Sequence, residues 1–227
     1  MNGYGVEQSD DAAFKCFLNG AKKGDAHAAD ELANCYFNGK GVERDVAMAF
    51  KYYNVAAKKG CVNSFVALGN MYNNGIAVER DAEKGFYWYA LAAEKDNPVA
   101  LYYVAEYYSA KDSIAGKKAM KNAKTFDYFR RAAEGGVPEA QMHLSLCYQT
   151  GHCVKKNKKE AFNWALRAAE GGLMKAQEYV ANCYLKGRGV YKNWFFAYEW
   201  FKKAAAQGSG DAAKRVSEYE TFKQFVY

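Results

Sequence analysis

The chain has 227 residues, 50% hydrophobic and 25% charged, an ordinary globular composition with enough length to bury a sizeable core. No run of about 18 uninterrupted apolar residues occurs, which excludes a membrane-spanning helix, and Met1–Asp11 lacks the basic-then-apolar order of a secretory leader. The net charge of +7 is uneven: the first 110 residues carry 11 Lys/Arg against 14 Asp/Glu, the remaining 117 carry 21 against 11, so the second half is expected to attract an acidic partner.

Only two prolines occur, which suits a chain of long helices. Residues 10–24 read as a lone helix that caps the N-terminal side. Five two-helix units follow, at approximately 25–60, 61–96, 97–136, 137–172 and 173–208. Residues 209–227 close the array as a last helix with Val216, Tyr219, Phe222 and Val226 on one face. Three columns set this register. Tyr36, Tyr72, Tyr108, Tyr148 and Tyr184 lie 36, 36, 40 and 36 apart. Alanine pairs at 56–57, 92–93, 132–133, 168–169 and 204–205 keep the same rhythm. So do Gly60, Gly136, Gly172 and Gly208, with Asp96 in the remaining place.

Each unit explains its own columns. Ala28, Leu32, Ala33 and Tyr36 share one face of a first helix, and their small members let a second helix come close. Glycines at 39, 41, 75, 151, 187 and 189 stop the first helices where φ must turn positive. Asp45, Asp81, Asn157 and Asn193 then read as N-caps of the second helices. The third unit has four extra residues, and Ser109–Lys124 lacks the glycine turn. A longer loop or one added turn on its second helix is expected there. The predicted fold is all-α: one domain, residues 1–227, forming a right-handed α-α superhelix of about five two-helix repeats with capping helices at both ends.

The order Ala-x-x-x-Leu-Gly-x-x-Tyr-x-x-Gly-x-Gly-Val-x-x-Asp, then an aromatic pair and Ala-Ala-x-x-Gly, resembles the Sel-1-like repeat family over roughly residues 12–218. Residues 35–45 and 183–190 are close matches. The resemblance implies a tetratricopeptide-like solenoid with adaptor or scaffold roles in protein complexes, often in bacterial signalling or host interaction. The cysteine-rich, secreted branch of that family needs paired cysteine columns. Cys16, Cys35, Cys61, Cys147, Cys153 and Cys183 do not supply them, and no Ser-x-x-Lys occurs. The thiols read as reduced packing residues of a cytoplasmic protein, with delivery as an effector left open.

With the packing columns set aside, the opposite face of the first helices is expected to be concave and to bind a protein or peptide. It carries Asn34, Val66, Asn70, Tyr102, Tyr103, Glu106, Met142, His143, Leu146, Tyr179 and Asn182. The aromatic and apolar residues would anchor the partner, and the Asn amides would pair with its backbone. A basic edge of Lys117, Lys118, Lys121, Lys155, Lys156, Lys158 and Lys159 is the second candidate, fit for an acidic protein, nucleic acid or anionic lipid. Of these partners a protein, acidic in character, is preferred over nucleic acid, and a monomer is expected. No cofactor or metal is expected. His143, Cys147, His152 and Cys153 make the one metal-like set, and packing explains it as well. No phosphate-binding loop or nucleophile elbow appears. A non-enzymatic adaptor is therefore the first reading, an inhibitor or immunity-type regulator of a partner enzyme the second, and a thiol or zinc hydrolase the third.

Overall fold

The computed structural model describes residues 9–114 and 123–226, and among these it holds twelve α-helices and no strand. They are α1 (Asp10–Lys22), α2 (Ala26–Asn38), α3 (Val46–Ala57), α4 (Val62–Asn74), α5 (Ala82–Ala93), α6 (Pro98–Ile114), α7 (Ala123–Glu134), α8 (Pro138–Thr150), α9 (Lys158–Glu170), α10 (Met174–Lys186), α11 (Trp194–Ala206) and α12 (Gly210–Val226). No helix among the described residues is long and apolar enough to cross a membrane. Two compact units divide between Ala100 and Leu101, in the first turn of α6.

In the first unit α1 packs on α2, α2 on α3, α3 on α4 and α4 on α5. In the second, α7 packs on α8 and the contacts continue stepwise to α12. Small residues make these approaches possible. Ala33, Ala49 and Ala56 in the first unit, and Ala132, Ala168, Ala181 and Ala204 in the second, are completely buried. At Gly69 even a methyl group is too large, because an added Cβ would lie 2.7 Å from the Tyr89 ring.

The expected caps form. Asp45 accepts from the backbone N–H groups of Ala47 and Met48, and Asp81 from those of Glu83 and Lys84. Asn157 caps Lys159 and Glu160 in the same way, and Asn193 caps Phe196. Each such cap stabilises its helix by about 1 kcal/mol. Four first helices end on a left-handed glycine at 39, 75, 151 or 187. In the third unit Lys111 holds that place, so nothing stops α6, which runs on for 17 residues against 13 in α2. One added turn thus lies on the first helix, while the longer loop or extended second helix expected from the sequence falls on residues 115–122, outside the described residues; from Ala123 onward α7 has 12 residues, as do α3 and α5.

Neighbouring repeats meet through backbone. Gly41 and Gly189 are left-handed, and a Cβ there would lie 2.2 Å from the Asp10 carbonyl oxygen and 2.1 Å from that of Lys158. Each turn is thereby seated on the start of the preceding second helix. Ala77 and Cys153 occupy the same column with φ of 61° and 59°, and Asp96 takes φ of 57° in the Gly60 column. These non-glycine residues carry strain. Buried glutamines add side-chain links: Gln141 donates to the Ala133 carbonyl at 3.1 Å and Gln177 to that of Ala169 at 3.2 Å.

Two substitutions test this geometry. Ala77→Gly should stabilise the fold by about 0.5–1 kcal/mol, since the entropy glycine gains in the unfolded chain offsets part of the strain it relieves. Gly189→Ala should destabilise by about 2–4 kcal/mol, from strain and the clash with the Lys158 carbonyl together. Urea unfolding reads both; a stabilising Gly189→Ala would show that the two turns are not in contact.

Candidate protein-binding face of the first helices

In the first unit, Asn34 on α2 and Asn70 on α4 are wired inward. The buried Tyr53 phenol donates to Asn34 Oδ1 at 2.6 Å, and Tyr89 donates to Asn70 Oδ1 at 2.6 Å. Burial, with the charges of Asp30 and Glu31, pushes the Tyr53 phenol up and keeps it a donor. The acceptor ends of these amides are therefore taken by the partner helix, which corrects the reading of both residues as a ladder open at both ends to a peptide backbone. Val66 is half-buried on the same face of α4.

In the second unit the same columns hold different chemistry. Phe129 stands where Tyr53 and Tyr89 stand and has no hydroxyl, and Glu106 replaces the Asn. Glu106 Oε1 instead lies 3.2 Å from His143 Nε2 on α8. The His143 ring stacks on Phe129 with centroids 4.4 Å apart and planes at 19°. Tyr102 closes the cluster, 6.1 Å from Phe129, 6.2 Å from His143 and 5.4 Å from Tyr103, ring to ring. His143 Nδ1 is buried without a hydrogen-bond partner among the described residues. Burial, then the charges of Glu106 and Glu139, push the Tyr102 phenol up to about 12 and raise that of Tyr103, so both stay neutral donors.

One repeat further on, Ala165 occupies the aromatic column and is completely buried. Met142 and Tyr179 pack against the cluster it forms with Phe162, Val180 and Cys183. Leu146 on α8 remains 45% exposed. Asn182 on α10 donates its Nδ2 to the Glu178 carbonyl oxygen at 2.9 Å and faces Phe201 rather than a tyrosine in its repeat. The sequence-selected residues of α6 and α8 thus converge, while Met142 and Tyr179 serve the core as much as the surface.

The remaining candidates divide. Lys155, Lys156, Lys158 and Lys159 are exposed around the start of α9, whereas Lys117, Lys118 and Lys121 lie outside the described residues. No three of His143, Cys147, His152 and Cys153 bring their ligand atoms together. Burial, followed by the neighbouring Cys153, pushes the Cys147 thiol up to about 11, the wrong direction for a nucleophile. A grouping that the sequence reading missed is His27, Asp30 and Glu31, whose ligand atoms lie within 4.8 Å of one another; their i, i+3, i+4 spacing on α2 was the available signal. Asp30 already has a structural task, since it is buried and accepts a hydrogen bond from the Ser64 hydroxyl on α4. Also missed was the exposed aromatic run at the start of α11, concealed by an ordinary N-cap signature.

Comparison with known proteins agrees with this architecture. The family profile of the Sel1 repeat matches residues 1–25, 26–61, 66–97, 98–137, 138–173 and 175–209. A Sel1 repeat protein from Oxalobacter formigenes superposes with a TM-score of 0.76 at 28% identity, covering 91% of this chain and 82% of that one. A protective antigen of uropathogenic Escherichia coli with an SLR fold gives a TM-score of 0.60 at 26% identity, covering 96% of this chain and 54% of that one. An immunity protein from Pseudomonas aeruginosa gives 0.50 at 22% identity, covering 92% and 69%, a likeness of fold alone. No curated protein matches the chain by sequence.

Asp30 supplies a pH test of the inter-helix contact. Burial raises its carboxyl above the ordinary value of 3.8, so the folded chain binds that proton more tightly than the unfolded chain. Its contribution is fully present below the unfolded value and is lost as pH rises through the raised folded value. Asp30→Asn should remove this component and flatten the fall of stability as pH rises above the ordinary carboxylate value of about 4, relative to the parent. Parallel unfolding curves for parent and variant across that range would contradict it.

Proposed function

The chain belongs to the Sel1 repeat family, whose repeats mediate protein–protein interaction, and from that premise we propose that it is a non-enzymatic adaptor that holds a protein or peptide segment on the face shared by α6 and α8. One observation carries the reading. In the first unit the Oδ1 atoms of Asn34 and Asn70 on this face each accept from a tyrosine of the second helix, whereas in the second unit the same column holds Phe129, Ala165 and Phe201 and Leu146 is left exposed. A helix face that carries an exposed leucine and half-buried tyrosines has the composition of interface anchors.

In this reading the partner buries apolar side chains against Leu146, Tyr103 and the accessible part of Tyr102. The two phenols donate to its backbone carbonyls, and Glu106 accepts from its N–H groups. Tyr102 also supports Phe129, so its removal costs packing as well as contact. The basic composition of the second half favours an acidic partner.

Tyr103→Ala combined with Leu146→Ala tests the assignment without touching the Phe129 stack. Capture from the native cell with the tagged chain, followed by titration of the captured partner, should give at least about a tenfold loss of affinity in the double variant. The unfolding temperature should stay close to the parent's. Equal affinity in parent and variant would remove the face from consideration.

A further inference from the structure

The α10–α11 turn and the start of α11 carry side chains that the repeat does not require. After the N-cap the other units read Val46-Ala47-Met48, Ala82-Glu83-Lys84 and Lys158-Lys159-Glu160, and those helices begin equally well. Here the run is Trp194-Phe195-Phe196, and Tyr191 stands two residues before the cap where Glu43, Glu79 and Lys155 stand elsewhere. Tyr191 is 94% exposed, Trp194 63%, Phe195 62% and Phe196 46%. Burying a core does not account for aromatic residues placed this far into solvent.

The surroundings are cationic. Lys186, Arg188 and Lys192 flank the aromatics in the same turn, all exposed. The close approach of Gly189 to the Lys158 carbonyl seats this turn against the start of α9, and so beside Lys155, Lys156 and Lys159. Residues 155–159 and 186–196 contain no Asp or Glu. Among the described residues none of these cations forms an ion pair with a carboxylate. Behind Trp194 a largely apolar cavity of about 650 Å³, lined by Leu185, Tyr198, Phe201 and Tyr219 with Arg215 and Glu218 also in its wall, continues the apolar surface inward.

We propose that this edge of the second unit adheres to the surface of an anionic lipid bilayer. Trp and Tyr settle at the level of the headgroups, where an apolar ring meets a polar rim, and Phe reaches below it. Clustered Lys and Arg beside such rings are drawn to anionic headgroups within a Debye length. Charge complementarity selects the anionic bilayer over a neutral one. Shape selects a bilayer over an extended acidic segment, since Tyr191, Phe195 and Phe196 stand out from the turn and only Trp194 of the four also lines the cavity. The surface is separate from the α6–α8 face, so the chain would hold a protein partner while resting on a membrane.

The test uses the full chain and sedimentation with phospholipid vesicles, one set of phosphatidylcholine alone and one containing about one-third phosphatidylglycerol. The chain should pellet with the anionic vesicles only and be released by high salt, and its tryptophan emission should shift to the blue. Trp194→Ala with Phe195→Ala should weaken vesicle binding about tenfold or more, from lost ring burial. Lys156→Glu with Lys192→Glu should weaken it by a similar factor through charge. Both variants should keep the parent's circular dichroism and unfolding temperature; if the aromatic variant fails to fold, Trp194→Ser alone replaces it. Absence of binding to anionic vesicles overturns the proposal. So does binding that the aromatic variant retains in full, and so does equal, aromatic-independent retention of polyglutamate or single-stranded DNA, which would assign the edge to a soluble polyanion.

Discussion

Everything in this fold depends on how near one helix backbone can come to the next. The completely buried alanines at 33, 56, 132, 168, 181 and 204, and the glycine at 69 that has no room for a methyl group, set that distance. The left-handed glycines at 41 and 189 then let each turn rest on the carbonyl that begins the preceding second helix. Helices this close bury their shared faces almost completely, so stability arises from many small contacts repeated along the chain and not from one large core. The tyrosine and phenylalanine columns fill what the small residues leave, as Tyr53 and Phe129 do at 4% and 1% exposure.

Because one set of columns builds every unit, function is best sought where a unit departs from the set. Three departures coincide in the second unit. Lys111 removes a stop and lengthens α6, the helix that carries Tyr102, Tyr103 and Glu106. Phe129 and Ala165 remove the hydroxyl and the ring that close this face in the first unit. The start of α11 exchanges small and charged residues for aromatic ones. Each of these changes alters what the surface offers to another molecule.

The repeat architecture was legible in the sequence because its causes are local. A glycine that must turn left-handed, an Asp or Asn three residues before the N–H it caps, and a small residue at a close approach each leave a mark at fixed spacing. The helices, caps and turn glycines were accordingly placed as found. What the sequence concealed lies across helices. Asn34 and Asn70 were read as outward amides because their tyrosine partners are 19 residues away on another helix, a distance at which the alternation of faces says nothing about which atoms meet. The extra residues of the third unit show in the sequence as length alone, and that α6 takes up one turn of them depends on the missing stop at residue 111. The set of His143, Cys147, His152 and Cys153 dissolved because proximity along the chain does not aim side chains at one point.

Hydrogen–deuterium exchange of the full chain, alone and saturated with the protein it captures, measures the location of binding without any substitution. Protection is predicted in the segments spanning residues 102–106 and 142–146 of α6 and α8, with little change along the buried alanine columns, which are already slow to exchange. Protection confined to the first unit, with α6 and α8 exchanging as in the free chain, would contradict the assignment of the partner to this face.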